Sequence, residues 1–542
     1  EAMDIFEQEI TQDVWKEKYR YKDEAHPFNS FERVVKGIYK DDDPARGEDA
    51  LEYMKAGLWV PAGRIHAGAG TSKLVTLMNC YVNRTVHDSM EGIADALKDA
   101  MLTLQQGGGI GTDFSTLRPR GAALRRLGEG AYASGPVSFM DMWNSMCATI
   151  MSAGSRRGAM MGTLRCDHPD LIEFIEAKHK PGRLTMFNVS VLVTDNFMQA
   201  VKNNEWWDLV FGIPPADGSH VDQTDPSEGV EQYTYRRIRA RELWDMIVDS
   251  TYKYSEPGVI FIDRINQTNN LKYCEDISCT NPCGEQALPP NGTCNLGAVN
   301  LARMVLRPFQ DDAAFQYDVL ADTAKVGVRF LDNVIDQTNY PLDAQRKEET
   351  LKRRLGLGIT GLADALAQMQ LTYGSPGAIN ATECIMATLA TTAYEESIYL
   401  AEHRSAFHLY NREGFTSSMS LNVLDENMQR RLDKHGIRNG TLLTIAPTGT
   451  TSIYYGNVSS GIEPVFDHKV DRQVLQADGS TKRYVAYGYG YKLYHQIKGT
   501  ELNSIVLPGY MVTSTQISVR EHIDMQAAAQ KWVDTSISKT IN

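Results

Sequence analysis

A thiol, a carboxylate and an amide fall within one short stretch, Asn281-Pro282-Cys283-Gly284-Glu285. Cys283 sits between a proline and a glycine, so the backbone there is turned and is neither helical nor a long strand. In an extended segment, Asn281, Cys283 and Glu285 point to the same side. A sulfur, a base and a hydrogen-bonding amide then converge on one small volume, as needed to present a thiol to a small polar substrate. Cys294 follows in Gly292-Thr293-Cys294-Asn295-Leu296-Gly297, close enough for a short excursion to bring it back.

Other readings compete. Cys274, Cys279, Cys283 and Cys294 lack the paired spacing and the histidines of a zinc site, so no metal is expected. An inert buried cysteine is the usual fate of a single thiol, but it leaves Asn281 and Glu285 beside Cys283 unexplained. Pro447-Thr448-Gly449-Thr450-Thr451-Ser452 carries four hydroxyls after an apolar run. It reads either as a phosphate cradle or as an ordinary helix cap. Gly107-Gly108-Gly109-Ile110-Gly111 lets the backbone approach a ligand or another chain closely. Ala153 to Ala159, with Arg156 and Arg157 between glycines, reads as a solvated turn or a mobile nucleotide loop.

Elements must bring these stretches together. Helical spacing is predicted over residues 15–39, 44–58, 90–104, 139–151, 195–202, 242–254, 313–337, 362–369, 381–404 and 520–535. Strand-like runs are predicted at 161–165, 187–194, 259–263, 355–360 and 441–446. Residues 214–234 read as an exposed loop. Helices alternating with strands say α/β, in one large barrel or sheet core. Residues 1–75 form a helical region ahead of it, and 76–542 the core, with a cysteine loop at about 274–296.

The 542 residues are 42% hydrophobic and 23% charged, enough for a large core without disulfides. A net charge of −13 argues against a general nucleic-acid binder. No apolar run suits a membrane span, and the acidic Glu1-Ala2-Met3-Asp4 start does not suit a signal peptide. The eight cysteines are expected to be reduced thiols in a cytoplasm, the chain's own or a host's.

Together these stretches resemble the ribonucleotide reductase large subunit. The resemblance rests on Asn281 to Glu285 and Cys294 to Gly297. It also takes in Asn79-Cys80, Asp88-Ser89-Met90-Glu91, Gly107 to Gly111, Leu117 to Gly121 and Ser134 to Phe139. Gly154 to Gly158, Phe330 to Asp336, Arg354 to Gly358 and Pro447 to Gly449 complete it, in the family's order. The wording is nearest the adenosylcobalamin-dependent class II enzymes.

The resemblance implies a ten-stranded α/β barrel of two five-stranded halves, with the cysteine loop as a central finger. Cys283 would become a thiyl radical, Glu285 the base for the 3′-hydroxyl, and Asn281 a hydrogen-bonding partner of the ribose. Cys80 and Cys294 would supply two electrons and close to a disulfide. Asn79, Gly109 and Pro447, Thr448, Gly449, Thr450, Thr451, Ser452 would bind a ribonucleotide, expected as the diphosphate. Asp88, Ser155, Arg156 and Arg157 would bind a deoxynucleoside triphosphate effector that selects the base, at a homodimer interface.

Adenosylcobalamin is the expected radical source. The alternatives are a di-iron or dimanganese partner subunit, or a catalytically idle nucleotide-binding paralogue. A dithiol protein such as thioredoxin or glutaredoxin is the expected reductant. Relatives continue past residue 542 into a last strand and a cysteine-bearing tail, so the expectation is either a truncated or split chain or a completing chain as a further partner. No counterpart of the ATP-cone domain is expected.

Overall fold

Two runs of parallel strands meet antiparallel at a pair of cysteines. In the computed structural model, residues 4–150, 158–224, 229–475, 480–503 and 506–541 are described. The main sheet contains β1 (Trp59–Pro61), β2 (Cys80–Val82), β3 (Gly109–Asp113), β4 (Met160–Arg165), β5 (Phe187–Val193), β6 (Gly258–Phe261), β7 (Thr293–Asn300) and β8 (Leu355–Thr360). Its order is β1-β7-β2-β3-β4-β5-β6, with β8 also on β7. From β2 to β6 every neighbour is parallel. β7 reverses direction: it runs antiparallel to β1 and β2 and parallel to β8. Isolated parallel bridges continue the second run, Leu357 to Leu443 and Ile445 to Ile537. The fold is α/β, as the sequence implies.

Strands covered on both faces must be apolar throughout. β5 reads Phe-Asn-Val-Ser-Val-Leu-Val and is buried everywhere except at Asn188. β8 is buried along its whole length. Its glycines permit close approach: a Cβ on Gly358 would lie 2.2 Å from the Thr444 carbonyl oxygen. Trp59 of β1 fills a glycine-walled slot, where a Cβ on Gly297 or Gly327 would come within 2.3 or 2.7 Å of its ring. This ties β1 and β7 to the long helix Tyr317–Gln337.

That helix packs against a longer one, Pro376–Arg404, which Ser375 caps at Ala378 N. Asp332, fully buried, joins the layers. It pairs with Arg353 at 2.9 Å, Arg404 at 3.1 Å and Arg438 at 3.2 Å, and accepts from Asn439 Nδ2 at 3.0 Å. The cluster stands just before β8 and before the 441–446 segment, and so fixes where both enter the core.

Some elements differ from their sequence reading. The helix expected over 15–39 is broken: Glu9–Val14 runs into a wide turn at Trp15–Tyr19, and a new helix starts at Pro27. Pro27 lacks the N–H needed to continue a helix, and His26 caps the restart. The 214–234 loop contributes Asp222–Gln223 and the start of Tyr233–Arg239 to a three-stranded antiparallel sheet with Trp206–Phe211. The 441–446 run makes single bridges in place of a regular strand. Thr293–Asn300, its first half read as the end of the cysteine loop, is the longest strand of the sheet.

Candidate active site

The cysteine loop is a short hairpin, Cys279–Thr280 paired with Ala287–Leu288. Its tip is a turn: Gly284 N donates to Asn281 O at 3.1 Å, and Asn281 N to Gln286 O at 3.1 Å. Gly284 has φ +80, which glycine adopts without a Cβ penalty. The extended alternation considered for 281–285 is therefore replaced by a turn, because proline and glycine flank the cysteine. Cys283 stands exposed at the apex, while Asn281 and Glu285 are buried on either side. Asn281 spends its side-chain oxygen on the loop, accepting from Gln286 N at 3.0 Å.

Both strand runs grip this hairpin. Thr163 Oγ1 of β4 donates to Ser278 O at 3.1 Å, and Asn188 Nδ2 of β5 to Pro282 O at 2.8 Å. From the other run, Thr444 Oγ1 donates to Glu285 O at 2.8 Å and Ser536 N to the same oxygen at 3.2 Å. A Cβ on Gly111 would lie 1.8 Å from Thr280 O, and one on Gly109 3.1 Å from Pro282 Cγ. The glycine run thus makes room for another part of the chain at Gly109 and Gly111.

The hairpin tip closes one side of a cavity of about 360 Å³. Cys283, Glu285, Asn281, Cys80 and Asn79 line it, as does the Pro447–Thr451 turn. Cys80 and Cys294 are directly opposite in the β2–β7 register. Directly opposite residues of an antiparallel pair have Cα atoms about 4.5–5.5 Å apart, within the span of a disulfide. The Cys80 thiol points at Glu285 Oε1 from 3.8 Å. Asn79 Oδ1 is buried and has no hydrogen-bond partner among the described residues, so it can accept from a bound hydroxyl.

Burial raises the Cys80 thiol well above its ordinary pKa, and the neighbouring Glu285 carboxylate adds to this. Burial does the same for Cys294, with Glu349 the next cause. Both are therefore protonated thiols at neutral pH. Cys279 is pushed up to about 12 by burial and by Asp113, and it faces Gly111 behind the hairpin.

Among the hydroxyls, Thr448 sits at φ +50 ahead of the short helix Gly449–Tyr454 and accepts from Gly461 N at 2.9 Å. First-turn N–H groups of a helix lack intrahelical acceptors, which leaves them for a ligand. Thr450 and Thr451 line the cavity. Ser452 is turned away and bonds Gly449 O at 3.1 Å and Ser460 at 2.9 Å. Asp88 pairs with Arg118 at 2.9 Å. Ser155, Arg156 and Arg157 lie outside the described residues.

Sequence reasoning missed the residues that hold the hairpin: Thr163, Asn188, Thr444 and Ser536. Only Asn188 left a trace, as a lone amide in an apolar strand. It also missed Lys18, Tyr19 and Arg64, which bring the N-terminal region to the cavity wall.

Residues 78–542 match the family model described as ribonucleotide reductase, barrel domain. The chain is 36% identical over 508 residues to a vitamin B12-dependent ribonucleoside-diphosphate reductase of Thermoplasma acidophilum, covering 91% of this chain and 60% of that one. It is 34% identical over 481 residues to the same-named protein of Mycobacterium tuberculosis, covering 86% and 63%. A ribonucleoside-diphosphate reductase large subunit of Trypanosoma brucei brucei is 28% identical over 485 residues, covering 83% and 57%. The chain thus spans about three fifths of the length of these relatives.

Proposed function

The chain belongs to the ribonucleotide reductase family by its barrel domain, and from that premise we propose that it reduces ribonucleoside diphosphates to 2′-deoxyribonucleotides. One observation carries the reading: two sulfurs, Cys283 and Cys80, and the Glu285 carboxylate line one cavity, with Cys294 paired to Cys80. Cys283 is exposed at the tip, Cys80 and Cys294 are in register, and Glu285 lies between the tip and the pair.

The residues divide the work by their surroundings. Cys283, as a thiyl, takes the hydrogen from ribose C3′. Glu285 holds the 3′-hydroxyl proton as general base. The 2′-hydroxyl leaves as water. Cys80 and Cys294, held as thiols by burial, deliver two electrons and two protons and close to a disulfide. The balance is ribonucleotide plus dithiol to deoxyribonucleotide plus disulfide plus water. A dithiol protein then restores the pair by exchange. Asn79 Oδ1 and the turn at Thr448 to Thr451 bind the ribose and phosphates.

Adenosylcobalamin is the proposed radical source, in keeping with the names of the B12-dependent relatives. What supports the fit is the Cys283 thiol, exposed at the hairpin tip on the cavity wall where a radical source could reach it. When bound, it supplies a carbon radical able to take hydrogen from a thiol. The architecture proposed is the ten-stranded barrel, supported by the parallel β2–β6 run and the opposed run from β7 through Leu443 and Ile537. The hairpin gripped from both runs is its finger. A homodimer with a deoxynucleotide effector site near Asp88, acting in the cytoplasm, completes the proposal.

The test is single-turnover formation of deoxynucleotide by the pre-reduced protein with adenosylcobalamin, which needs no re-reduction. Product is expected from the unaltered chain and none from Cys283→Ala, which should still bind nucleotide. Product only on adding a di-iron or dimanganese subunit would overturn the cofactor assignment. No product with either source would overturn the enzymatic reading.

A further inference from the structure

The Cys80–Cys294 pair is asymmetric. Cys80 lines the cavity and Cys294 does not. A reductant entering the cavity reaches the Cys80 sulfur, so Cys294 is the sulfur that must leave. How readily it leaves depends on what lies behind it. The helix Asp343–Lys352 packs on β7 there, and its Glu349 is fully buried. Neither carboxyl oxygen of Glu349 makes a hydrogen bond to a described residue. The Arg354 backbone N–H acts on the carboxyl and favours its charged form.

Glu349 is faced by Glu348, Arg353 and Arg354 near its own helix, by Tyr340 from the preceding segment and by Tyr81 from β2. Arg353 is taken up by Asp332 and Asp336, and Arg354 by Glu275. Cys294 itself is faced by Glu349, Arg354, Glu285 and Asp534. Burial outweighs the opposing pull of Arg354 and Arg353 and lifts the Glu349 pKa to about 8, so the group is a neutral acid at pH 7.

We propose that Glu349 is a positioning residue for opening the Cys80–Cys294 disulfide. Held neutral beneath β7, it lets the Cys294 sulfur depart as a thiolate; once ionised, it opposes that departure. The inference rests on the dithiol reading above. An external dithiol's thiolate forms a bond to Cys80 Sγ, and the Cys80–Cys294 bond breaks. Cys294 leaves with the electron pair and takes a proton. The reductant's second thiol then displaces Cys80, which is protonated in turn. The reductant ends as a disulfide, having given two electrons.

The test oxidises the full chain with diamide and opens it with dithiothreitol across about pH 6.5–9.5, with acid quench, alkylation and mass spectrometry. In the unaltered protein the rate per reductant thiolate should hold at low pH. It should then fall through pH 8, because a leaving thiol of higher pKa departs more slowly. Glu349→Gln should remove the fall, and Glu349→Asp should keep it. Superimposable profiles for the unaltered protein and Glu349→Gln would overturn the proposal. If Glu349→Gln does not fold, infrared titration of the unaltered protein decides. A neutral-carboxyl band bleaching near pH 8, above Glu396 at about 7 and Asp170, Asp364 and Asp534 at about 6, supports the proposal, and the absence of any band that bleaches above pH 7 overturns it. Failure to form a Cys80–Cys294 disulfide at all would sink the dithiol reading itself.

Discussion

Cys294 of β7 is the direct cross-strand partner of Cys80 of β2. The two come from opposite strand runs and meet only because those runs join antiparallel at this point. A one-residue slip of that register would turn one sulfur to the other face of the sheet. In the proposed reaction, the seam between the runs is also where the two electrons are stored.

Mild oxidation should remove two of the eight free thiols and yield a Cys80–Cys294 peptide on non-reducing mapping. Cys80→Ser and Cys294→Ser should each abolish it and leave the remaining six thiols titratable apart from the orphaned partner. A dominant bridge to Cys283 would refute the division of roles among the sulfurs.

Gly111→Ala should displace the hairpin. The added Cβ would sit 1.8 Å from the Thr280 carbonyl oxygen, a backbone atom that no side-chain rotation relieves. Overpacking of this kind costs about 1–3 kcal/mol. Urea unfolding should show that loss, and Cys283 alkylation should change in rate because the tip moves with its hairpin. An unchanged midpoint and rate would mean that the hairpin does not depend on this contact.

The turn that exposes Cys283 was legible in the sequence because it lies in one continuous stretch, where Pro282 and Gly284 announce a turn and Asn281 and Glu285 flank the thiol. β8 was legible to the residue, since Leu355 to Thr360 is apolar and bounded. What holds the loop was not. Thr163, Asn188, Thr444 and Ser536 each donate from a different segment, and no spacing along the chain links them. β7 hid inside the cysteine motif, because a strand buried on both faces has no alternation to betray it. Glu349 carried no signal either, as a glutamate in a helix normally faces water.

Glu285→Gln keeps the shape but cannot accept a proton. With the backbone carbonyl of residue 285 still held by Thr444 and Ser536, the hairpin should stay in place. Turnover should fall by about 10²–10⁴, the usual contribution of a positioned base, with nucleotide affinity retained. Loss of nucleotide binding in equal measure would assign Glu285 to binding instead.

Acid should destabilise the fold through His66. The ring is fully buried, its Nδ1 has no partner among the described residues, and Nε2 meets Tyr455 Oη at 3.3 Å. Phe31, Tyr19 and Tyr454 surround it. Burial, then the nearby Arg33, pulls its pKa down to about 3, against about 6.5 in an unfolded chain. Between those values the unfolded state binds a proton that the folded state does not, so unfolding is favoured as pH falls. The stability is fully present above about pH 6.5 and drains at up to about 1.4 kcal/mol per pH unit below it. His66→Phe fits the aromatic surroundings and cannot titrate. Its urea midpoint should therefore fall less steeply than that of the unaltered protein between about pH 6 and 4, whatever the two midpoints are at pH 7. Parallel slopes would show that His66 charges in the folded state, and the packed ring cluster around it would have to be open to water.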